Sequence, residues 1–305
     1  ASFTKDQDIR FPDGTGINTK VSYSSNVATA GVLARYTFLK EAKVNPFVTG
    51  KLGYASFFSK VVVADPKDED DKKKIKKGWK ILDVGSGPGF AAFDLRERVG
   101  NSGAVTALEQ SEIFLDYFRS ECAKNNWNNV YSVLSSVENA GLLDNQYDLI
   151  FVRWVIAFVP DPDLFLDKLM ASLKPGGTIA FMDYAYEGLA LYPRGGAFEN
   201  MPETVRAYWR HGGGDPYIGA KLPFMFKKRN INITEFYPVA QAGGPTSGVF
   251  RWADKFFTVH IQQMIDMGVT TQELGEEMLK DWIKHRNDPD SVFFSPTIIA
   301  IAGKK

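Results

Sequence analysis

A chain of 305 residues with 44% apolar side chains has enough material for one large core or two small ones. Its 36 lysines and arginines balance 36 aspartates and glutamates, so no global field draws it to nucleic acid or an anionic membrane, and a small neutral or amphipathic partner is expected. One cysteine, Cys122, and three histidines exclude an internal disulfide framework and argue against a zinc cluster.

Residues 1–64 admit two readings. Side chains from Asn26 to Phe38 alternate, with Ala28, Ala30, Val32, Ala34, Tyr36 and Phe38 on one face, and Phe47 to Phe58 alternate in the same way. The first of these stretches also reads as a helix from Val27 to Ala42, capped by Ser25 or Asn26, with Val32, Leu33, Tyr36 and Leu39 on one side. Gly50 and Gly53 disfavour a helix in the second half. The string NPFVTGKLGYASF resembles hairpin strands of bacterial outer-membrane β-barrels, but a closed barrel takes about eight strands. Asp65 to Lys77, DPKDEDDKKKIKK, is a solvated charge run and a natural boundary.

Lys80 to Phe90, KILDVGSGPGF, reads as a buried strand, a glycine turn and a helix start. Gly85 lets the chain leave the strand sharply, and Gly87 lets a ligand approach the backbone. The amides that open the next helix point at an anionic group. The spacing is GxGxG, with Phe90 where a dinucleotide fingerprint needs its third glycine, which weakens an NAD reading.

The string DVGSGPG after a strand resembles the first motif of class I S-adenosylmethionine-dependent methyltransferases. The resemblance implies that Asp83 orients the methionine end of the cofactor, and that Gly85, Ser86, Gly87 and Gly89 make room for it. The second strand, Ala104 to Leu108, ends in Glu109, an acid placed to accept both vicinal hydroxyls of a ribose. Gln110 and Phe114 flank the adenine by position, and Cys122 is a packing residue on the helix that begins near Ser111. After the third strand, Val130 to Leu134, the family often carries an acid and a small residue. Here Ser136 and Val137 stand instead, so a hydroxyl or a backbone amide must read the adenine.

The fourth strand, Tyr147 to Arg153, is nearly all apolar, as a central parallel strand should be. Arg153 and Trp154 lie at its carboxyl end, Arg153 placed either to hold the cofactor carboxylate or to pair with a neighbouring acid. The apolar run from Leu149 to Val159 is too short to span a bilayer and is broken by Arg153. Asp161 and Pro162 open the next helix, LKPGG closes it, and Thr178 to Asp183 is the fifth strand. The run from Phe151 to Tyr184 resembles small-molecule members of the same class.

An aromatic-rich insertion at about 185–222 follows, and the resemblance makes it the acceptor pocket. Tyr184, Tyr186, Tyr208 and His211 are its candidate lining, with Trp154, and His211 is the nominee for a general base if the acceptor is a hydroxyl or an acidic carbon. Ile231 to Val239 is a sixth strand, and Arg251 to Met267 and Thr271 to Arg286 are helices, the second opened by a Thr270–Glu273 capping box. His260 and His285 read as ordinary helix residues. Ser295 to Ala302 is a last strand, antiparallel beside the sixth.

The expectation is an α/β, Rossmann-like doubly wound sheet of seven strands whose last strand is antiparallel. It occupies residues 79–305, after a lid or appendage at 1–64 and a linker at 65–78. The expected cofactor is S-adenosyl-L-methionine and the expected partner a small aromatic or apolar acceptor, such as a quinone precursor. No nucleic acid, metal or membrane span is expected. No signal peptide is visible, and a cytoplasmic enzyme is expected. The alternative is a cofactor-binding protein without transferase activity.

Overall fold

The computed structural model describes residues 75–305 and, nearer the N-terminus, the backbone of two strands. β1 (Ser2–Arg10) and β2 (Gly16–Ser24) pair antiparallel, with Ser2 opposite Ser24 and Arg10 opposite Gly16. The alternating stretches at 26–38 and 47–58, the helical alternative at 27–42 and most of the charge run lie outside the described residues.

From Lys80 onward the chain is built on one mixed sheet. β3 (Lys80–Val84), β4 (Ala104–Glu109), β5 (Val130–Leu134), β6 (Tyr147–Arg153) and β7 (Leu173–Ala185) are parallel. β3 and β6 are almost wholly buried because helices cover both faces, so their sequences lack the polar alternation of a half-exposed strand. α1 (Phe90–Val99), α2 (Glu112–Lys124) and α3 (Pro162–Ser172) are crossover helices. Ser111 caps α2 by accepting from the Phe114 amide, and Asp161 caps α3 by accepting from Leu164 at 2.9 Å. The chain leaves α3 at Leu173 directly into β7, which is longer at both ends than the expected Thr178 to Asp183.

Beyond β7 come β8 (Ala190–Tyr192), α4 (Met201–His211), α5 (Ile218–Lys228) and β9 (Asn232–Val239). They are followed by β10 (Ala242–Gly243), α6 (Gly248–Asp266), α7 (Gln272–Arg286), β11 (Val292–Phe294) and β12 (Thr297–Lys304). The large sheet has the order β5-β4-β3-β6-β7-β12-β9. β12 slots between β7 and β9, antiparallel to both, and completes a seven-stranded Rossmann-like sheet. Chain direction out from the centre reverses between β3 and β6, which opens a crevice at their carboxyl ends.

Two segments depart from the expected layout. α5 packs on β7 and β12 as a sheet-covering helix, so the first insertion proper is β8 with α4. A second insertion lies between β9 and β12 and holds α6 and α7. β11 pairs with β10 on one side and β8 on the other, which joins the two insertions through a small antiparallel sheet. Their shared core is aromatic: Trp282 stacks on Phe250 with centroids 4.5 Å apart and meets Phe257 edge-on at 4.9 Å. The indole N–H of Trp282 donates to Asp254 at 2.9 Å, which satisfies its polar atom. α7 is capped by Thr271, whose hydroxyl accepts from Leu274 at 3.2 Å, and not by Thr270. The extended backbone belongs to Thr271, so the third helical position is Leu274 and the Thr270–Glu273 box does not form.

Candidate functional site

The glycine turn is folded back onto β4. The Gly85 amide donates to the Leu108 carbonyl at 2.8 Å and the Ser86 amide to the same oxygen at 3.2 Å. Gly85, Gly87 and Gly89 all have left-handed backbone, with φ of 61°, 55° and 91°. A Cβ on Gly85 would sit 2.2 Å from a methyl of Val155, across the crevice floor. A Cβ on Gly89 would sit 2.2 Å from the Phe118 ring, so this glycine serves the packing of α1 on α2 and does not line the crevice.

Glu109 is held at the end of β4 by three amides. One oxygen accepts from Gly87 at 2.7 Å, the other from Gln110 at 2.8 Å and Ser111 at 3.0 Å. The carboxylate therefore both buttresses the glycine turn and borders the cavity beside it. Glu109 could also be read as a surface acid capping α2, but Ser111 supplies that cap.

Opposite the turn, the end of β6 carries the most constrained backbone of the site. Trp154 has φ of 56°, a conformation costly for an aromatic residue, and its amide donates to the Met182 carbonyl at 2.9 Å. The next residues are pinned by Asp183 at the end of β7, which is fully buried. One of its oxygens accepts from Val155 at 2.9 Å and Ala157 at 3.4 Å, and the other from Tyr184 at 2.9 Å. Burial pushes the Asp183 carboxyl up to about 6, against these backbone donors, which hold it down.

Arg153 is buried beside Asp83, and burial lowers its pKa while the charges of Asp83 and Asp94 raise it. Its guanidinium lies 5.3 Å from the Trp154 ring centre, and its Nη1 has no hydrogen-bond partner among the described residues. A buried cationic N–H without an acceptor is costly, and it suits the carboxylate of a ligand.

These elements border one cavity of about 790 Å³. Asp83, Gly85, Ser86, Gly87, Glu109, Gln110, Phe114, Ser136, Val137 and Arg153 line it, and so do Trp154, Tyr184, Tyr186 and Tyr208. Gly89 and His211 are outside it. His211 is exposed at the last turn of α4.

The aromatic side is a set of edge-to-face contacts centred on Trp209. Tyr184 lies 4.7 Å and Tyr186 4.8 Å from it, with Phe158 at 5.1 Å. Trp154 stacks at 6.1 Å from Tyr184, extending the wall toward Arg153. Tyr192 points to solvent and Phe198 packs in the insertion core, so neither joins the wall.

The sequence reading missed a third side, built from α6. Trp252, Phe256, Phe257 and His260 all line the cavity, and the four-residue spacing of Trp252, Phe256 and His260 is the signal that marks one helix face. His260 is therefore more than an ordinary helix residue. Its Nδ1 lies 2.9 Å from the Phe256 carbonyl oxygen, and burial lowers its pKa while this bond raises it. His285 is buried elsewhere, with its Nδ1 2.8 Å from the Ser291 hydroxyl. Cys122 is half-buried against the core, its thiol pushed up to about 11 mainly by burial, as suits an inert packing residue.

Residues 75–222 match the model of a family described as a methyltransferase domain. The arsenite methyltransferase of Halobacterium salinarum is 28% identical over 106 residues, covering 35% of this chain and 27% of that protein. The demethylmenaquinone methyltransferase of Listeria monocytogenes is 29% identical over 196 residues, covering 60% of this chain and 81% of its own length. A solved structure from Bacillus halodurans, assigned as a methyltransferase, shares the fold with a TM-score of 0.52 at 16% identity, over 77% of this chain and 96% of that one.

Proposed function

We propose that the protein, whose residues 75–222 match the model of a methyltransferase domain, is a class I enzyme that uses S-adenosylmethionine to transfer a methyl group to a small, aromatic or apolar acceptor. The observation that carries this reading is a single cavity with the Glu109-braced glycine turn on one side and the Trp154, Tyr184, Tyr186 and Trp209 wall on the other. S-adenosylmethionine, when bound, supplies an already activated methyl group, so the protein need not provide a covalent nucleophile.

The side chains have separate tasks. Glu109 accepts the two ribose hydroxyls, a pairing one carboxylate can satisfy. Arg153, whose Nη1 has no hydrogen-bond partner among the described residues, would hold the cofactor carboxylate, and Asp83 would hold the methionine amino group. Ser136 and Val137 meet the adenine edge, and Gln110 and Phe114 flank it. The aromatic wall holds the acceptor in line and keeps water out, which is catalysis by positioning. The demethylmenaquinone relative and the aromatic make-up of the wall favour a quinone-type ring as acceptor. A cytoplasmic location belongs to the same reading.

Isothermal titration with S-adenosylmethionine, S-adenosylhomocysteine and NAD tests this reading, repeated on Glu109→Ala. Binding of both sulfur compounds and not NAD, lost in the variant, is the expected result. Binding without methyl transfer to any quinol or phenol would favour a cofactor-binding protein that lacks transferase activity. No binding of either sulfur compound would overturn the proposal.

A further inference from the structure

We propose that His260 is the general base of the reaction, and that the acceptor is accordingly a phenol, hydroquinone or enol, a nucleophile that sheds a proton as it is methylated. This inference rests on the methyl-transfer reading above and adds the base and the acidity of the acceptor to it.

The tautomer follows from the hydrogen bond. A carbonyl oxygen only accepts, so the Nδ1 of His260, 2.9 Å from the Phe256 carbonyl, carries the hydrogen, and Nε2 is the basic nitrogen. Ring orientation is set by stacking on Phe256, with centroids 4.4 Å apart and planes 13° from parallel. Tyr208 meets the ring edge-on at 6.2 Å and donates its own hydroxyl to Gln263 at 3.0 Å, so its proton is already engaged. Burial disfavours the imidazolium and keeps the ring neutral near pH 7, ready to take a proton.

Position separates His260 from the other candidates. Of the three histidines, it alone lines the cavity. Asp83 and Glu109 stand on the glycine-turn side, Glu138 is exposed beyond β5 next to Ser136 and Val137, and Asp161 is engaged in capping α3. Tyr184, Tyr186 and Trp209, set edge-to-face, supply the apolar ring surfaces that an aromatic acceptor would pack against. In the transfer step the acceptor's oxygen or carbon forms its bond to the methyl carbon as the methyl–sulfur bond breaks, and that electron pair stays on sulfur. The acceptor's proton passes to Nε2 of His260, and the imidazolium then returns it to solvent.

Three histidines make the test direct, because their side chains can be followed one by one in nitrogen-labelled protein by proton–nitrogen NMR. His260 signals, assigned by their loss in His260→Gln, should show a protonated Nδ1 and a bare Nε2. They should shift when naphthohydroquinone or catechol is added to the S-adenosylhomocysteine complex. Methyl transfer from S-adenosylmethionine to these probes should fall roughly a hundredfold or more in His260→Gln, with S-adenosylhomocysteine affinity unchanged. Added imidazole should restore part of the rate of His260→Ala, which a purely structural role would not allow. A protonated Nε2, His260 signals indifferent to both probes, or a variant with the wild-type rate would each overturn the assignment. Failure of the wild-type protein to bind S-adenosylhomocysteine would instead overturn the methyl-transfer reading itself.

Discussion

The two halves of the cavity are made differently. The glycine-turn half is assembled from backbone: left-handed glycines, amides donating to Glu109 and carbonyls at strand ends, most of it within Asp83 to Ser111. The aromatic half is assembled from side chains of β6, β7, α4 and α6, which are far apart in the chain and meet only in the fold. A ligand shared by a whole family can be held by backbone geometry, whereas an individual acceptor is selected by the surface that side chains present. Substitutions on the two sides should therefore separate cofactor affinity from acceptor use.

The largest effect is expected where the halves are joined. Asp183→Ala leaves the amides of Val155 and Tyr184 without their acceptor in a fully buried place, and should cost about 4 kcal/mol of stability in urea unfolding. The same residue predicts a pH dependence. Its native pKa of about 6 stands above the ordinary 3.8, so the folded chain holds a proton that the unfolded chain has released. That contribution to stability is complete below about pH 4 and is lost as pH rises through about 6. Asp183→Asn should remove on the order of 3 kcal/mol of this slope, read from unfolding free energies across the window. An unchanged slope would mean that Asp183 ionises as an ordinary carboxylate.

Next in size, Glu109→Ala should weaken S-adenosylhomocysteine binding by about 3 kcal/mol, roughly a hundredfold, by calorimetry. Gly85→Ala should follow, at about 2 kcal/mol of stability, because φ of 61° and a methyl 2.2 Å from Val155 compound each other. It should also lower cofactor affinity, since the displaced turn carries the amides. If either change spared the cofactor and altered only acceptor use, the division between the halves would be wrong.

Away from the cavity the effects are smaller. Thr271→Ala removes the cap of α7 and should cost about 1 kcal/mol, with Thr270→Ala lacking this cap loss and cofactor binding intact in both. His211→Ala should change neither methyl transfer to naphthohydroquinone nor stability, as expected of an exposed side chain outside the cavity.

The contrast between His211 and His260 shows what a linear reading can and cannot see. His211 drew attention by standing in an aromatic-rich segment, two residues after Trp209. Two residues on a helix is a rotation of about 200°, so when Trp209 faces the cavity His211 faces water. His260 stands in a segment with no motif, and only the second insertion, tied to the first by β8, β11 and β10, carries α6 to the cavity. Asp183 was legible as the end of a strand and no more, because its partners, at Val155 and Ala157, belong to the neighbouring strand's exit.

Assembly into a seven-stranded sheet was what the methyltransferase resemblance implied, while the amino-acid sequence alone determined the individual strands and the glycine turn with Asp83 and Glu109. Those features depend on local hydrophobic pattern and on the conformational freedom of glycine, which neighbours in sequence decide. Only the tertiary structure decided which aromatics line the cavity, which histidine meets it, and what surrounds Arg153 and Asp183. Those outcomes depend on the facing of helices and the pairing of strands distant in the chain, and burial then sets their chemistry.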